Sequence, residues 1–209
     1  MQDIITQAIL RHSLVPYKKA NKIITALFEA NYELPDAIAE RRPSFLNFNN
    51  VLQWGGNVEN AHVASISALN SKHGCFGDAY DLIKNFGEDY ETKERSTDYI
   101  CNILNSGKQV PGFGNPIYKG FNSDPRCQRI RHVLYDTLPS EVFVESLITL
   151  VRELSLKDID ANLVFWNAVC IYFLGLPREY ASLVFILATQ IRYVNESIKS
   201  TVNQPDPKQ

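Results

Sequence analysis

Apolar residues recur at helical spacing along most of this chain, and that periodicity constrains the fold more than any other feature. Side chains three and four positions apart share one face of a helix, whereas a half-buried strand alternates at every second residue. Such alternation is nearly absent from the sequence. Residues 170–187 are apolar on nearly every face, which is typical of helices packed on all sides. The pattern predicts an all-α protein.

The same periodicity gives the expected helices, and short connections with Gly or Pro join them as in a helical bundle. The polar residues 203–209 include two prolines and are expected to form a disordered tail. The predicted helices cover residues 4–9, 20–28, 60–69, 76–86, 94–104, 125–136, 140–154, 160–174 and 177–199.

Composition excludes several classes of protein. With 209 residues, of which 45% are hydrophobic, the chain can form one domain or two small lobes with a sizeable core. A net charge of −2 argues against nucleic-acid binding, which usually needs a basic patch. The four cysteines are widely spaced, which indicates reduced thiols and neither a zinc site nor a disulfide framework. Because no apolar run approaches a membrane span and the N-terminal stretch contains an acid, we expect a cytoplasmic protein without membrane contact.

Residues 110–126 carry the strongest indication of a binding site. They include three glycines, three prolines and three aromatic residues, together with two basic side chains. Asp124 and Pro125 predict a helix start, because aspartate can cap free amides and proline is tolerated in the first turn. Gly112 and Gly114 allow backbone angles that other residues avoid, and they let a ligand approach the main chain closely. An ordinary surface turn is a poor explanation for a segment that is this costly to order.

These residues also resemble the signature of the citrate synthase family, and in particular its citryl-CoA lyase-like branch. The match runs through residues 111–114, 116–119 and 124–126, with Asn115 standing where the family has a histidine. Residues 68–79 resemble the family segment that carries its first catalytic histidine. Residues 162–177 resemble a later family helix that ends in Leu-Gly-Leu-Pro. The resemblance covers about residues 57–199 and is weak or absent before them.

The resemblance implies the citrate synthase fold, in which a large helical lobe carries an inserted small helical lobe. Residues 1–74 and 159–209 would form the large lobe, and residues 75–158 would form the small lobe. The large lobe is truncated on its N-terminal side relative to the usual family member. We therefore expect a homodimer, or a complex with a second chain that supplies the missing helices.

The family reaction that the resemblance implies joins an acyl-CoA to an α-keto acid. His73 matches the histidine that stabilises the enol oxygen, and a helix N-terminus beside it would keep its imidazole neutral. A histidine bonded to a backbone carbonyl is the structural alternative. Asn115 replaces the histidine that polarises the ketone, and an amide can donate a hydrogen bond there but cannot become cationic. An ordinary turn residue is an equal alternative for Asn115.

The catalytic aspartate of the family is the position at which this sequence departs most. An ungapped alignment on Asn162 and residues 174–177 puts Val164 at that position, and valine cannot act as a base. Asp160 is the candidate base in its place. The alternative is that Asp160 is an acid at a helix N-terminus, stabilised by the helix dipole.

Arg126 matches the family arginine that holds the acceptor's carboxylate, a task suited to the forked guanidinium. In the family the main chain of the glycine-containing loop contacts the adenine of CoA, and nearby basic residues reach its phosphates. The matching positions are Val110, Gly112, Phe113, Gly114 and Lys119. Three further charges, Arg129, Arg131 and His132, are interpreted as ordinary helix-surface residues.

The leading hypothesis is a citrate synthase-like acyltransferase that converts acyl groups into alkyl on transfer, or the reverse lyase. Its substrates would be a keto acid and CoA or an acyl-CoA, with no tightly bound cofactor and no metal. A second hypothesis is a non-catalytic relative that binds a ligand or scaffolds a partner subunit, because two of the three catalytic side chains are replaced. A third is divergent chemistry on a non-CoA substrate, with Asn115 as the recognition residue.

Overall fold

The computed structural model describes residues 7, 9–33, 43–68, 76–88, 101, 105–107, 109–114, 117–121, 123–138 and 142–202. Apart from one isolated bridge between Phe113 and Ala161, these residues form helices, turns and loops. The prediction of an all-α protein is confirmed. The helices with described ends are α1 (Tyr17–Tyr32), α2 (Pro43–Gln53), α3 (Val58–Ser67), α4 (Phe76–Glu88), α5 (Pro125–Thr137), α6 (Val142–Ser155), α7 (Leu163–Phe173) and α8 (Tyr180–Val202).

Helix α7 lies at the centre of the fold. It contacts α1, α4, α5 and α8, and its apolar sequence explains how it can be packed on several sides at once. Residues 165–171 are all at most 1% exposed. Because α7 is enclosed, its first residues are held in a fixed position. Loop residues that contact them are held in position as well.

A reciprocal pair of amides sets the register between α1 and α7. Asn31 and Asn167 are both 0% exposed, and each donates a side-chain hydrogen bond to the other, at 2.9 and 3.0 Å. Asn31 also donates to the carbonyl of Leu27 at 2.8 Å. A sliding of one helix against the other would leave buried amides without partners, which is costly. The pair therefore favours one arrangement of the two helices.

Helices α2 and α3 form a hairpin that packs against α8 on one side. Phe48 and Ala61 meet Tyr193 in a small cluster of their own, separate from the main core. The ring of Phe48 also lies 5.0 Å from that of His62, whose side chain contacts Gln190 of α8. Helix α2 was not predicted from the sequence, because its three asparagines are weak helix formers. Packing against α3 compensates for that low propensity.

Some of the remaining helix predictions can be compared with described helices, and others concern residues outside the described ranges. The starts of α4 and α5 at Phe76 and Pro125 agree with the prediction, while α7 and α8 begin three residues later than expected. Most of residues 4–9 and 94–104, and the tail 203–209, lie outside the described residues. A single core cluster draws on α1 and on α4–α8, so the division into two lobes stays a prediction. None of the described helices is both long and apolar enough to cross a membrane.

Candidate functional site

The glycine-containing loop begins with a tight turn against the core. The Phe113 amide donates to the carbonyl of Val110 at 3.1 Å, and Gly112 adopts φ +83°. A Cβ atom on Gly112 would lie 2.8 Å from Cβ and 2.9 Å from Cα of Phe165. The backbone of the loop therefore rests directly on the first turn of α7, which a larger residue would prevent.

The loop is also joined edge to edge with the strand-like residues before α7. The Gly114 amide donates to the carbonyl of Asp160 at 2.8 Å, and the Asn162 amide donates to the carbonyl of Gly112 at 2.9 Å. These bonds flank the bridge between Phe113 and Ala161. Gly114 has φ +88°, and a Cβ there would have no described atom within 4 Å. The Gly114 amide is thus held by its hydrogen bond to Asp160, while the side of the backbone on which a Cβ would project is open.

Asn162 connects the loop to the N-terminus of α7. Its side-chain oxygen accepts from the Val164 amide at 2.9 Å and so caps the helix, while its Nδ2 donates to the carbonyl of Gly114 at 2.9 Å. The sequence reading used Asn162 to align the chain but gave it no role in the site. A single amide that caps a helix and also binds a neighbouring loop explains why asparagine suits this position.

The carboxylate of Asp160 holds the far end of the loop. Its two oxygens accept from the Gly120 amide at 2.9 Å and from the Ser155 hydroxyl at 2.7 Å, and the residue is 5% exposed. Asn162, and not Asp160, is the N-cap of α7. The structure therefore shows Asp160 as an anchor between two segments. Its predicted action as a general base stays a prediction.

Asp124 and Pro125 start helix α5 as the sequence predicts. The Asp124 carboxylate accepts from the Arg126 amide at 3.0 Å, and Pro125 occupies the first turn. The same carboxylate accepts from Nε and Nη2 of Arg126 at 3.0 and 2.8 Å. An arginine at a helix N-terminus is opposed by the dipole, and the bidentate contact with the cap offsets that repulsion.

Arg126 has one guanidinium nitrogen that the surrounding residues do not satisfy. The residue is 4% exposed, yet its Nη1 has no hydrogen-bond partner among the described residues. The ring of Tyr118 lies over the guanidinium, with its centroid 5.8 Å from Cζ. A buried donor without an acceptor costs about 1–3 kcal/mol. An anion that bound at Nη1 would remove that cost.

Arg131 is the residue for which the sequence interpretation was wrong. It was expected on the helix surface, but it is 8% exposed and its Nη1 donates to the carbonyl of Phe121 at 2.6 Å. Its Cζ lies 4.1 Å from the ring centroid of Phe121 and 5.5 Å from that of Trp166. Burial lowers the pKa of the Arg131 guanidinium, because desolvation disfavours the charged form. In contrast, His132 is exposed as predicted and Arg129 is partly exposed.

The predicted site residues fall into two groups, those in one cluster and those outside the described residues. Backbone contacts join Phe113 and Gly114 to residues 160–162, and Arg126 contacts the same loop through Tyr118. We call residues 110–114, 117–121, 124–126 and 160–162 the loop cluster. Within it, Lys119 is exposed and the side chain of Val110 is buried. His73 and Asn115 lie outside the described residues.

Helix α4 follows the segment that contains His73, and its first turn is covered by an arginine that the sequence reading did not single out. Arg178 Nε donates to Asp81 at 2.9 Å and its Nη2 donates to Asp78 at 3.1 Å. A Cβ on Gly77 would lie 2.5 Å from this guanidinium. Arg178 thus ties the start of α4 to the connection between α7 and α8.

Two other features of the described residues do not compete with the loop cluster. A cavity of about 250 Å³ lies between α1 and α8, and it shares no residue with the cluster. None of the residues lining it has a buried polar atom that lacks a partner, so nothing there indicates a ligand. Among the described residues, no group of three or more His, Cys, Asp or Glu side chains is placed to hold a metal ion.

Comparisons with known proteins agree on one family. The family model for the C-terminal domain of citrate synthase matches residues 55–191. A mitochondrial citrate synthase of Daucus carota is 48% identical over 52 residues, which are 22% of this chain and 11% of the relative. The chain therefore spans about a tenth of that relative's length.

Solved structures are similar in fold. The citryl-CoA lyase from Hydrogenobacter thermophilus superposes with a TM-score of 0.73 at 18% identity, over 93% of this chain and 77% of that one. The ATP citrate lyase from Methanothrix soehngenii, solved in complex with citrate and coenzyme A, gives a TM-score of 0.72 at 14% identity. That match covers 93% of this chain and 34% of the other. At such identities the similarity concerns the fold.

Proposed function

The chain belongs to the citrate synthase family, and from that premise we propose that it forms or cleaves a carbon–carbon bond between an acyl-CoA and an α-keto acid. The observation that carries the proposal is the buried Nη1 of Arg126, which lacks a described partner and belongs to a guanidinium that faces the Tyr118 ring of the loop. A guanidinium in this state suits a carboxylate, because charge and planar geometry are both complementary. Keto acids and citrate supply that group.

Arg126 is the proposed contact for the acceptor's carboxylate. Its other nitrogens are already oriented by Asp124, so little side-chain freedom is lost when a ligand binds at Nη1. Tyr118 limits access to the guanidinium from one side. A carboxylate that enters would therefore meet a preorganised donor in a largely dehydrated place, where hydrogen bonds to charge are strong.

The loop main chain is the proposed contact for CoA. Gly114 is the suitable position, because the space beside it is open, whereas Gly112 is closed off by Phe165. Phe113 packs on Phe165 with ring centroids 5.0 Å apart, which holds the loop in place. Lys119 is exposed in the same segment and could neutralise a phosphate. Val110 and Gly112 would support the loop from the core side.

His73 and Asn115 complete the proposed chemistry. His73 would stabilise the enol oxygen as a neutral imidazole, and Asn115 would donate one hydrogen bond to the ketone. For Asp160 we favour positioning over proton abstraction, because both its oxygens already accept hydrogen bonds. The hydrogen bonds to both Asp160 oxygens, together with Val164 at the family's aspartate position, also support a second candidate function. In that case the protein is a relative that binds keto acid and CoA without turnover.

Turnover separates the two candidates. We expect release of CoA when acetyl-CoA is mixed with members of an α-keto acid panel, or cleavage of citryl-CoA in the reverse direction. His73→Ala should lower kcat by about 10²–10³-fold, the usual loss of one oxyanion donor. Asp160→Asn should weaken ligand binding if Asp160 holds the loop, and should lower kcat alone if it is the base.

The controls for this assay are direct. His132→Ala removes an exposed histidine of α5 and should leave the rate unchanged. Binding of citrate and CoA without turnover in either direction would support the non-catalytic candidate. Failure to bind either ligand at millimolar concentration would overturn both.

We also propose that a second copy of the chain covers the outer face of the α2–α3 hairpin. Trp54 is 88% exposed and Val63 is 67% exposed there, with further apolar exposure at Leu46 and Ile66. Between residues 43 and 67, Glu59 is the single acidic or basic residue apart from His62. Pairing two such faces would bury apolar surface while desolvating few charges, which is the composition of an interface core.

Light scattering after gel filtration tests this pairing. We expect a dimer for the natural chain and a shift to monomer for Val63→Glu, because two buried carboxylates would face the interface. Leu156→Glu is the matched control, since Leu156 is 84% exposed in the turn after α6. A monomer at tens of micromolar, or a dimer that Val63→Glu does not disturb, would count against the proposal.

A further inference from the structure

Arg131 joins three parts of the fold that the chain would otherwise leave independent. It belongs to α5, its Nη1 binds the carbonyl of Phe121, and its guanidinium lies near the rings of Phe121 and Trp166. Trp166 is 0% exposed and belongs to α7, the central helix. Arg131 therefore connects the end of the loop to the two helices whose N-termini frame the loop cluster.

Phe121 follows the residue that Asp160 anchors. The Gly120 amide donates to the Asp160 carboxylate, and the next carbonyl accepts from Arg131. Gly120 is thus held by the carboxylate of Asp160, which precedes α7, and Phe121 is held by the guanidinium of Arg131 on α5. A segment fixed in this way at its end has little freedom to move away from α5.

The segment so held contains Tyr118, whose ring lies over the guanidinium of Arg126. At its other end the loop is fixed through Gly114, which binds Asp160 and Asn162. Tyr118 therefore lies between two anchored points. If the Phe121 end were released, the ring would no longer be held above Arg126, and water could reach the guanidinium.

We propose that Arg131 is a positioning residue for the substrate site: by holding Phe121 it keeps Tyr118 over Arg126 and so sets the affinity for the carboxylate of the ligand. This inference rests on the proposed function. Arginine fits the role because its planar guanidinium can stack on a ring while its in-plane N–H groups donate to a carbonyl, whereas an ammonium group has no flat face to stack.

The experiment compares Arg131→Met and Arg131→Lys with Arg129→Met, which removes a partly exposed arginine of the same helix. Phe121→Leu is added because it removes the ring while keeping the carbonyl. Citrate affinity is measured by titration calorimetry, at a temperature well below each variant's unfolding midpoint. Hydrogen exchange is measured in parallel at the amides of residues 117–121 and of α1.

Arg131→Met is expected to weaken citrate binding by about tenfold or more, the effect of a difference near 1.4 kcal/mol. Exchange should accelerate at residues 117–121 and stay unchanged in α1. Arg131→Lys should recover only part of the affinity, and Phe121→Leu should give a smaller loss than Arg131→Met, because the carbonyl that Arg131 binds is kept. Arg129→Met should match the natural protein in citrate affinity and in exchange at residues 117–121; its ion pairs with Glu29 and Glu33 affect the end of α1 alone.

Other outcomes overturn the inference in distinguishable ways. Faster hydrogen exchange throughout the chain would show that Arg131 stabilises the whole fold, which would contradict a specific role in holding the loop. Unchanged loop exchange or unchanged citrate affinity in Arg131→Met would each contradict the proposal. Absence of citrate binding by the natural protein would refute the proposed function and, with it, the role of Arg131 in affinity, while the exchange data would still report whether Arg131 holds the loop.

Discussion

Replacing Gly112 with alanine is expected to lower the free energy of unfolding by about 2–5 kcal/mol. A left-handed backbone costs a non-glycine residue about 1–2 kcal/mol, and Gly112 has φ +83°. The added methyl would also lie 2.8–2.9 Å from Cβ and Cα of Phe165. Forcing a methyl group into such a packed place costs about a further 1–3 kcal/mol, because α7 is enclosed and cannot retreat. Urea unfolding followed by circular dichroism measures the loss.

Gly114→Ala is the matched control for this prediction. Its φ of +88° is nearly the same, but a Cβ at Gly114 would meet no described atom within 4 Å. It should therefore cost only the backbone strain, about 1–2 kcal/mol. If Gly112→Ala proves no more destabilising than Gly114→Ala, the close contact between the loop and α7 is wrong. If CoA binds the loop backbone at Gly114, Gly114→Ala should weaken CoA binding. The loss of affinity should be larger than the loss measured for the folded fraction of Gly112→Ala.

The second large effect is expected at Arg126. Arg126→Lys keeps a cation beside Asp124 but replaces the guanidinium, so Nη1, the nitrogen that lacks a described partner, is lost together with one of the two side-chain contacts to Asp124. We expect citrate affinity to fall by about 10- to 100-fold, the range for losing one charge-assisted hydrogen bond of about 1.5–3 kcal/mol. The free energy of unfolding should fall by only about 1–2 kcal/mol, because one of the two side-chain contacts with Asp124 is lost and the backbone amide still binds it. Calorimetric titration and urea unfolding give the two quantities separately.

Arg126→Leu shows why the lysine variant is needed. It would leave the Asp124 carboxylate buried and without its cation, and breaking a buried pair in this way costs about 3–5 kcal/mol. Loss of binding in that variant could result from unfolding of the start of α5. Equal citrate affinity in Arg126→Lys and the natural chain would mean that the Arg126 Nη1 does not contact the ligand.

Local chemistry made much of the fold predictable. Asp124 and Pro125 determine the start of α5 through contacts within three residues of one another, so the sequence alone was sufficient. The positive φ of Gly112 and Gly114 was likewise predictable, because few other residues adopt it. The all-α class followed from apolar spacing that continues through α7 and α8. These features depend on neighbours in the chain.

Arg131 and helix α2 were not predictable in the same way. Arg131 belongs to a charged stretch that is typical of a solvated helix face, but contacts with Phe121 of the loop and with Trp166 of α7 bury it. Helix α2 is rich in asparagine and depends on packing against α3. In both cases the decisive partner belongs to a different element, and periodicity within one element carries no information about it.

Asp160 shows the same limit within the candidate site. Residue type and position made it a candidate base, because a carboxylate was needed near the start of α7. Its hydrogen bonds to Gly120 and Ser155 depend on the path of the loop, which the sequence does not reveal. Asn162 is the converse case, because its two simultaneous contacts identify it as part of the loop cluster.

The most direct test of the central claim is a crystal structure of the protein grown with citrate, and the quantity to measure is the distance from Nη1 of Arg126 to the nearest ligand oxygen. We expect a carboxylate oxygen at about 2.7–3.2 Å, the range of a normal hydrogen bond, with Tyr118 above it. Citrate bound in the cavity between α1 and α8, or an Arg126 Nη1 that remains without an acceptor at saturating citrate, would contradict the account.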